Sequence, residues 1–456
     1  MSYERADLFK LLRLAGPLML ARLSAFGLVF IDTVVVGQYS PQELAFLTLA
    51  SVPISVILVA SIGFLNGIQV IAARSVGAGD LALAGAAWQR GVIDSLMLGA
   101  AAALALGFGA RGLFYVLGQP ADLADGATPV AIILALSMPF HLLYIATSFL
   151  LEAMHRPAAG VVAMVVAMAV NYGLNILLVT GALGFPELGA QGAAWATLLV
   201  RILLVVAMIV WVLRLPQARE LNLFGRHKSD PIAKSEQRQI GIAAGSGQVF
   251  EVAAFGGMTI FAGMVGTLAV ASYAIALNVT GLVFMIALGL ASASGVLVAN
   301  GIGAGDQARG IRAGWMGLGV GVVAMLILAV GAWVGDRFIA GVYATDAALI
   351  AATIPLIALS AFVFLADGLQ VIAANILRAR SDVWFPTASH LFAYVVVMLP
   401  LGWLLAVKMG HGAAGLMWAI IIASAISGIV LVLRWIVLAA RPVLRPSSVT
   451  HEGMHS

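Results

Sequence analysis

Val76-Gly77-Ala78-Gly79-Asp80 returns 226 residues later as Ile302-Gly303-Ala304-Gly305-Asp306, and both copies end a long apolar run and open a basic, Trp-containing stretch. The correspondence spreads outward at one constant offset. Gly37 falls on Gly263, Ala45 on Ala271, Trp88 on Gly314 beside Trp315, and Leu151 on Leu377. A half-length repeat of this width predicts two units of the same make. Where such units are membrane bundles, their rocking against each other is the machinery of a carrier.

Composition says that they are membrane bundles. Of 456 residues, 62% are hydrophobic and 10% charged, whereas soluble domains carry roughly 25% charged residues. Twelve apolar runs are long enough to cross a bilayer core, near 11–37, 44–73, 91–117, 129–151, 158–180, 188–213, 239–263, 268–298, 311–334, 350–377, 387–406 and 412–438. Lipid offers no partner to an unpaired backbone group, so each run is expected to be a helix. The 50 glycines suit close helix packing. The first run carries Arg22 and Asp32 and lacks a small-residue cleavage site, which predicts a retained helix rather than a signal peptide.

The longest polar stretch, near the midpoint, holds Arg219, Arg226, Lys228, Asp230, Pro231, Lys234, Glu236 and Arg238. The expected organisation is therefore an all-α membrane protein of twelve transmembrane helices in two pseudo-symmetric six-helix bundles. An N-terminal lobe spans 1–214, a cytoplasmic linker 215–238, a C-terminal lobe 239–441 and a polar tail 442–456. Six spans per half is an even number, so the halves repeat in parallel about an axis along the membrane normal.

With both termini placed inside, cytoplasmic segments hold nineteen of the 24 Lys and Arg residues. Arg111, Arg337 and Lys408 lie outside, and Arg22 and Arg201 lie within spans. This asymmetry predicts cytoplasmic termini and accounts for the net charge of +4 without a nucleic-acid partner. The chain has no Cys, which excludes disulfides and thiolate metal sites. The Gly-rich pentapeptides superficially suggest a nucleotide fingerprint, but that motif requires a preceding strand; turns between spans are expected instead.

Ionisable side chains in mid-bilayer cost several kcal/mol, so each is a functional candidate. Asp32 sits near the outer end of the first span, Glu251 in the middle of the seventh and Asp367 near the middle of the tenth. Burial penalises an uncompensated charge, so each acid is expected to take up a proton or a metal cation, unless it serves only as a buried hydrogen-bond anchor. Asn171 and Asn175 share one helical face, and Ala193 and Thr197 repeat that spacing on the next span. With Asp32 they offer hard oxygen ligands suited to Na⁺, or they simply glue helices together. Arg201 and Arg22 are the opposite-charge candidates, the first for an acid of its own lobe and the second for another helix. His141 aligns with Asp367 at the repeat offset and is either a packed or a proton-handling histidine. Glu152, Arg156, Arg378, Arg380 and Asp382 are placed at cytoplasmic helix ends, where charges are ordinary. Pro17 removes an intrahelical hydrogen bond and predicts a bend in the first helix, a candidate hinge responsive to Asp32.

Taken together, Ala15-Gly16-Pro17 leading to Ile31-Asp32-Thr33-Val34-Val35-Val36-Gly37, both pentapeptides, Asn171-Tyr172-Gly173-Leu174-Asn175, Gly192 through Thr197, and Asp367-Gly368-Leu369-Gln370 continuing to Leu377-Arg378 resemble the multidrug and toxic compound extrusion (MATE) family, NorM-type branch. The resemblance runs from about Leu8 to Arg441. It implies a V-shaped cavity used alternately from each side, and export of bulky, often cationic drugs and dyes in exchange for Na⁺ or H⁺. By it, Asp32 corresponds to the first-lobe acid that takes the ion, with Asn171, Asn175 and Thr197 as its cation-site partners; Glu251 and Asp367 correspond to the second-lobe acid pair. The chain departs from the family pattern at Gly241-Ile242-Ala243-Ala244-Gly245, which lacks a proline, and at Met154-His155-Arg156-Pro157, which replaces a Gly-Asp turn.

An amphipathic cation calls for apolar, aromatic and Met lining, for which Tyr144, Phe255, Met258, Phe284 and Met285 are the candidates. The expected setting is a bacterial inner membrane, with lipids and small-molecule drugs as partners, no cofactor beyond the coupling ion, and a monomer sufficient. A lipid-linked oligosaccharide flippase or another solute carrier shares this architecture, though a diphosphate calls for a more cationic interior. No metalloprotease or serine-nucleophile motif points to an enzyme.

Overall fold

The computed structural model describes residues 2–225, 227 and 230–441, the side chains of residues 2–6 excepted. The polar tail expected over 442–456, and Arg226, Lys228 and Ser229 of the linker, lie outside the described residues. Twelve helices among those described are long and apolar enough to cross a membrane. In chain order they are α1 (Ser2–Tyr39), α2 (Pro41–Gly77), α3 (Leu81–Val116), α4 (Ala121–Ala153), α5 (Ala158–Val179) and α6 (Gly189–Leu213). The second set is α7 (Pro231–Val265), α8 (Thr267–Gly303), α9 (Gln307–Val334), α10 (Ala347–Ala379), α11 (Trp384–Lys408) and α12 (Gly412–Ala439). Outward-facing Phe108, Ile327 and Val334 remain exposed, as apolar residues on a lipid-facing surface do.

The repeated pentapeptide is a repeated turn. Gly79 and Gly305 adopt left-handed φ of 78° and 73°, a conformation that favours glycine. The aspartate that follows each caps the next helix: the carboxylates of Asp80 and Asp306 accept the amides of Leu83 and Arg309, each at 2.9 Å. The turns after α4 and α10 also match. His155 and Ser381 are left-handed, at φ 58° and 65°, while the amides of Arg156 and Asp382 return to the carbonyls of Leu151 and Leu377 at 2.8 and 3.1 Å. All of these pairs are separated by 226 residues.

The two bundles meet in a self-matching way. A side-chain carbon on Gly63 of α2 would lie 2.7 Å from the backbone of Gly245 in α7, and one on Gly289 of α8 would lie 2.5 Å from the backbone of Met19 in α1. Gly289 is the repeat equivalent of Gly63, and Gly245 that of Met19. Lower down, Gly77 abuts Asn300 while its equivalent Gly303 abuts Arg74, which is the equivalent of Asn300. Each contact thus has a partner related by a pseudo-two-fold axis, as in an isologous dimer interface. Glycine is needed at these crossings because backbone touches backbone.

These crossings, and the hydrogen bonds between bundles among the described residues, lie in the half of the helices toward the chain termini. Asn300 Nδ2 donates to the Ala73 carbonyl at 2.7 Å, Arg90 Nε to Gln237 Oε1 at 2.8 Å, and Arg74 to the Ala379 carbonyl and to Glu236. The bundles are therefore sealed on that terminal face, and the cleft between them opens toward the opposite, far face.

Three local features depart from the boundaries read in the sequence. The seventh span starts at Pro231, inside the stretch expected as linker, because Asp230 caps it through the amides of Ile232 and Ala233. The fourth span breaks at Ser137, since Pro139 brings no amide to continue the ladder. In α11 the ladder widens to i→i+5 over Leu391–Met398 and again over Leu404–Lys408, a form frequent at functional sites. Helix α1 runs continuously through Pro17.

Candidate functional site

Polar groups collect in two places. The first is near the far end of the first bundle. Asn175 Nδ2 on α5 donates to Asp32 Oδ1 on α1 at 2.8 Å, and the Thr197 hydroxyl on α6 donates to Asp32 Oδ2 at 2.8 Å. One helical turn separates Asn171 from Asn175, so both amides face Asp32; Asn175 Nδ2 also reaches Asn171 Oδ1 at 3.1 Å. Asn175 Oδ1 and Asn171 Nδ2 are left buried without hydrogen-bond partners. Ala193, one turn before Thr197, is fully buried in the surrounding core and contributes space rather than a ligand. Arg201, one turn beyond Thr197, donates to Ser137 Oγ at 2.5 Å, at the break in α4, and lies within electrostatic reach of Asp32.

The second place is a cavity of about 530 Å³ between the bundles. Tyr144, Phe255, Phe284 and Met285 line it, as their residue types predicted. Met258 does not: it is wholly buried in the second bundle, where it packs over Gly402. Glu251 enters the cavity from α7 and Asp367 from α10. Asp367 Oδ1 accepts from Gln370 Nε2 at 3.0 Å, from the Tyr394 hydroxyl at 3.2 Å and from Ser424 Oγ at 3.5 Å. Tyr394 is carried by the widened stretch of α11. Glu251 lies within electrostatic reach of both Asp367 and Arg378.

The first bundle adds a pair that sequence reasoning missed. Arg22 on α1 forms an ion pair with Glu152 on α4 at 3.4 Å, and Gln69 Nε2 donates to the other carboxylate oxygen at 2.5 Å. Asn66 supports Gln69 at 3.2 Å, and the Arg22 guanidinium stacks over Phe149 at 5.6 Å. Glu152 and Arg378, expected as ordinary helix-end charges, are both about 5% exposed and both line the cavity. The repeat held the missing signal, because Glu152 and Arg378 are equivalent positions. So are His141, also in the cavity wall, and Asp367. Each bundle therefore sets a charged α1- or α7-type helix against a charged α4- or α10-type helix, with the signs exchanged.

What this arrangement can do follows from its chemistry. The walls are mostly aliphatic and aromatic, favouring a bulky amphipathic guest, and the acids supply counter-charge. The Asp32 cluster, with a carboxylate, two amides and a hydroxyl, can hold a proton or a small hard cation.

Known proteins were compared with this chain. The MatE family model matches it twice, over residues 17–177 and 245–404, so that each half is one copy. A protein from Caulobacter vibrioides described as "Probable multidrug resistance protein NorM" is 41% identical over 431 residues, covering 94% of this chain and 91% of its own length. Its namesake from Pseudomonas aeruginosa is 30% identical over 440 residues, covering 94% and 89%. Among solved structures, the eukaryotic MATE transporter AtDTX14 superposes with a TM-score of 0.86 at 18% identity, covering 96% of this chain and 98% of its own. An outward-facing multidrug resistance MATE transporter superposes with a TM-score of 0.85 at 18% identity, covering 95% and 96%. These structural likenesses establish the shared fold.

Proposed function

The chain belongs to the MatE family of transporters, and from that premise we propose that it is a multidrug efflux antiporter, exporting amphipathic, often cationic compounds across a bacterial inner membrane in exchange for Na⁺ or H⁺. The observation that carries this reading is the placing of Glu251 and Asp367 in the wall of a largely apolar cavity between the bundles. A lipophilic cation gains from apolar burial and from aromatic faces. Its charge is balanced by the carboxylates, which compete for it with the coupling ion. With the termini cytoplasmic, the sealed face is the inner one, and the form described here is open outward. Ion loading then removes the guest's counter-charge, the guest leaves, and the ion-loaded bundles rock back.

Asp32 supplies a second loading point with two arrangements of the neighbouring amides. In one, the Asn175 amide donates to the ionised carboxylate. In the other, both amides are turned over: Asn171 Nδ2 donates to Asn175 Oδ1, and that oxygen faces both Asp32 and the Asn171 carbonyl to which the amide had donated. Three oxygens so placed repel unless a cation such as Na⁺ lies among them, while a proton relieves only the pair with Asp32. The Asp32, Asn171, Asn175 and Thr197 oxygens fit such a cation, and the amide reversal ties ion occupancy to helix position, with Pro17 of α1 as the point of give.

The test is reconstitution in sealed vesicles with a lipophilic cationic dye, imposing Na⁺ and pH gradients separately. Dye movement driven by either gradient and lost together in Asp32→Asn, Glu251→Gln and Asp367→Asn is the expected result. Wild-type rates in all three variants would overturn the coupling assignment.

A further inference from the structure

A charge in the middle of a membrane span is costly, and Arg201 stands at the centre of α6, where no other side chain of that helix is charged. It lies between the two polar places and belongs to neither. One turn before it, Thr197 donates to Asp32 at 2.8 Å. The guanidinium itself donates through Nη1 to the Ser137 hydroxyl at 2.5 Å, and that hydroxyl donates onward to the Leu134 carbonyl at 2.6 Å. Ser137 is the joint at which α4 breaks. Before the joint, Ala124, Val130 and Leu134 share a core with Val36 of α1 and Ala193 of α6, the helices that carry Asp32 and Thr197. Beyond it, His141, Tyr144 and Glu152 line the cavity. The amide of His141 returns to the Ser137 carbonyl at 3.1 Å, while its buried Nδ1 has no partner. Neither Arg201 nor Ser137 lines the cavity.

We propose that Arg201 is a positioning residue for ion coupling, held between Asp32 and the Ser137 joint so that ion occupancy of Asp32 sets the angle of the cavity half of α4. Asp32 is the acid that faces Arg201, and when empty and ionised it draws the guanidinium. A proton on Asp32 ends that attraction, and Na⁺ there also repels the guanidinium. The hold of Arg201 then passes to Ser137, whose hydroxyl is fastened to the α4 backbone, and the segment carrying His141, Tyr144 and Glu152 turns with it. Other charges stand further off. Helix α5 has none, α2 carries Glu43 and Arg74 at its two ends, and Asp122 and Asp125 lie at the far start of α4. Beyond the joint, His141 is faced by Arg201 and Arg22. Two unit charges about 10 Å apart, at an effective dielectric of about 20, shift a two-state balance by roughly tenfold. Occupancy of Asp32 therefore biases the two settings of the joint by about that factor. This inference rests on the antiport reading and names the link between Asp32 and the cavity.

The experiment measures, on the purified full chain, the Kd of a lipophilic cationic dye with and without saturating coupling ion, Na⁺ or acid, and the affinity for that ion by calorimetry. The ratio of the two dye Kd values is the coupling factor, which a merely structural residue leaves alone. Arg201→Gln removes the charge; Ser137→Ala keeps it and removes only the joint's hydroxyl. The coupling factor is expected to be about tenfold in the wild type and to fall to within twofold of unity in both variants, with ion-free dye affinity within severalfold. Ion binding should tighten at least tenfold in Arg201→Gln, where the competing charge is gone, and stay within severalfold in Ser137→Ala. A wild-type coupling factor in Ser137→Ala, or an unchanged ion affinity in Arg201→Gln, overturns the assignment. A wild-type chain whose dye affinity ignores both ions overturns the antiport reading and this link with it.

Discussion

Arg74, near the terminal end of α2, donates through Nη2 at 2.6 Å and Nε at 3.1 Å to the carbonyl of Ala379, the last residue of α10 in the other bundle. The same guanidinium pairs with Glu236 of α7, which also accepts from Ser381. One side chain therefore ties three helices across the seam on which the cleft is closed, and it must let go whenever the terminal face opens.

Arg74→Ala should shift the two bundles toward the form open on the terminal face. Hydrogen bonds to charged groups contribute about 1.5–3 kcal/mol each, which corresponds to roughly ten- to a hundredfold in population. The chain has no cysteine, so a single cysteine placed at the buried Ala73 reports the change. Its reaction with a water-soluble thiol reagent should quicken in the Arg74→Ala background; an unchanged rate would count against the latch.

Gly63→Leu should stop the transport cycle without unfolding the protein. A first side-chain carbon there already meets the Gly245 backbone at 2.7 Å, and a branched side chain holds α2 and α7 apart. Dye efflux should fall to background while thermal unfolding in detergent stays cooperative. Full activity in this variant would show that the crossing is not needed.

Glu152→Ala should destabilise more than Glu152→Gln. Removing the carboxylate strands Arg22, whose side chain is only 18% exposed, and breaking a buried pair costs about 3–5 kcal/mol, less where cavity water screens it. Glutamine keeps an oxygen for the Gln69 amide. The melting temperature of the alanine variant should be the lower by several degrees; the reverse order would refute the pairing.

Asp32→Asn should reduce ion-driven efflux at least tenfold while dye binding to the purified protein stays within severalfold, because Asp32 lies outside the dye cavity. Thr197→Ala, which removes one donor to Asp32, should give a milder loss. Equal loss of dye binding in Asp32→Asn would place Asp32 in the guest site instead.

Much of the fold was legible because hydropathy and the fixed repeat offset are properties of the chain alone. The twelve spans, the doubled turn at Asp80 and Asp306, and the meeting of Asp32 with Asn175 and Thr197 all followed from spacing or from family resemblance. Tyr394 and Ser424 were not legible, since a lone hydroxyl carries no mark of the acid it will face across helices. Arg22 was expected to reach another helix, but not which one. Glu152 and Arg378 were passed over because residues near a helix end are normally wetted; here the cavity extends down to that end. Met258 was misplaced in the cavity because periodicity alone does not tell which side of α7 faces its own bundle.

The exchanged signs at Glu152 and Arg378 bear on how such a protein can be assembled. A homodimer of the first half, joined about the same axis, would only double the Arg22–Glu152 pair. A homodimer of the second would crowd four carboxylates, from two copies each of Glu251 and Asp367, and only two guanidiniums into one chamber. Self-complementary subunits must accept whatever their symmetry copies impose. Fusion into one polypeptide lifts that obligation, so each half of this chain carries its own polarity and the chamber becomes a dipole that no pair of identical halves could make.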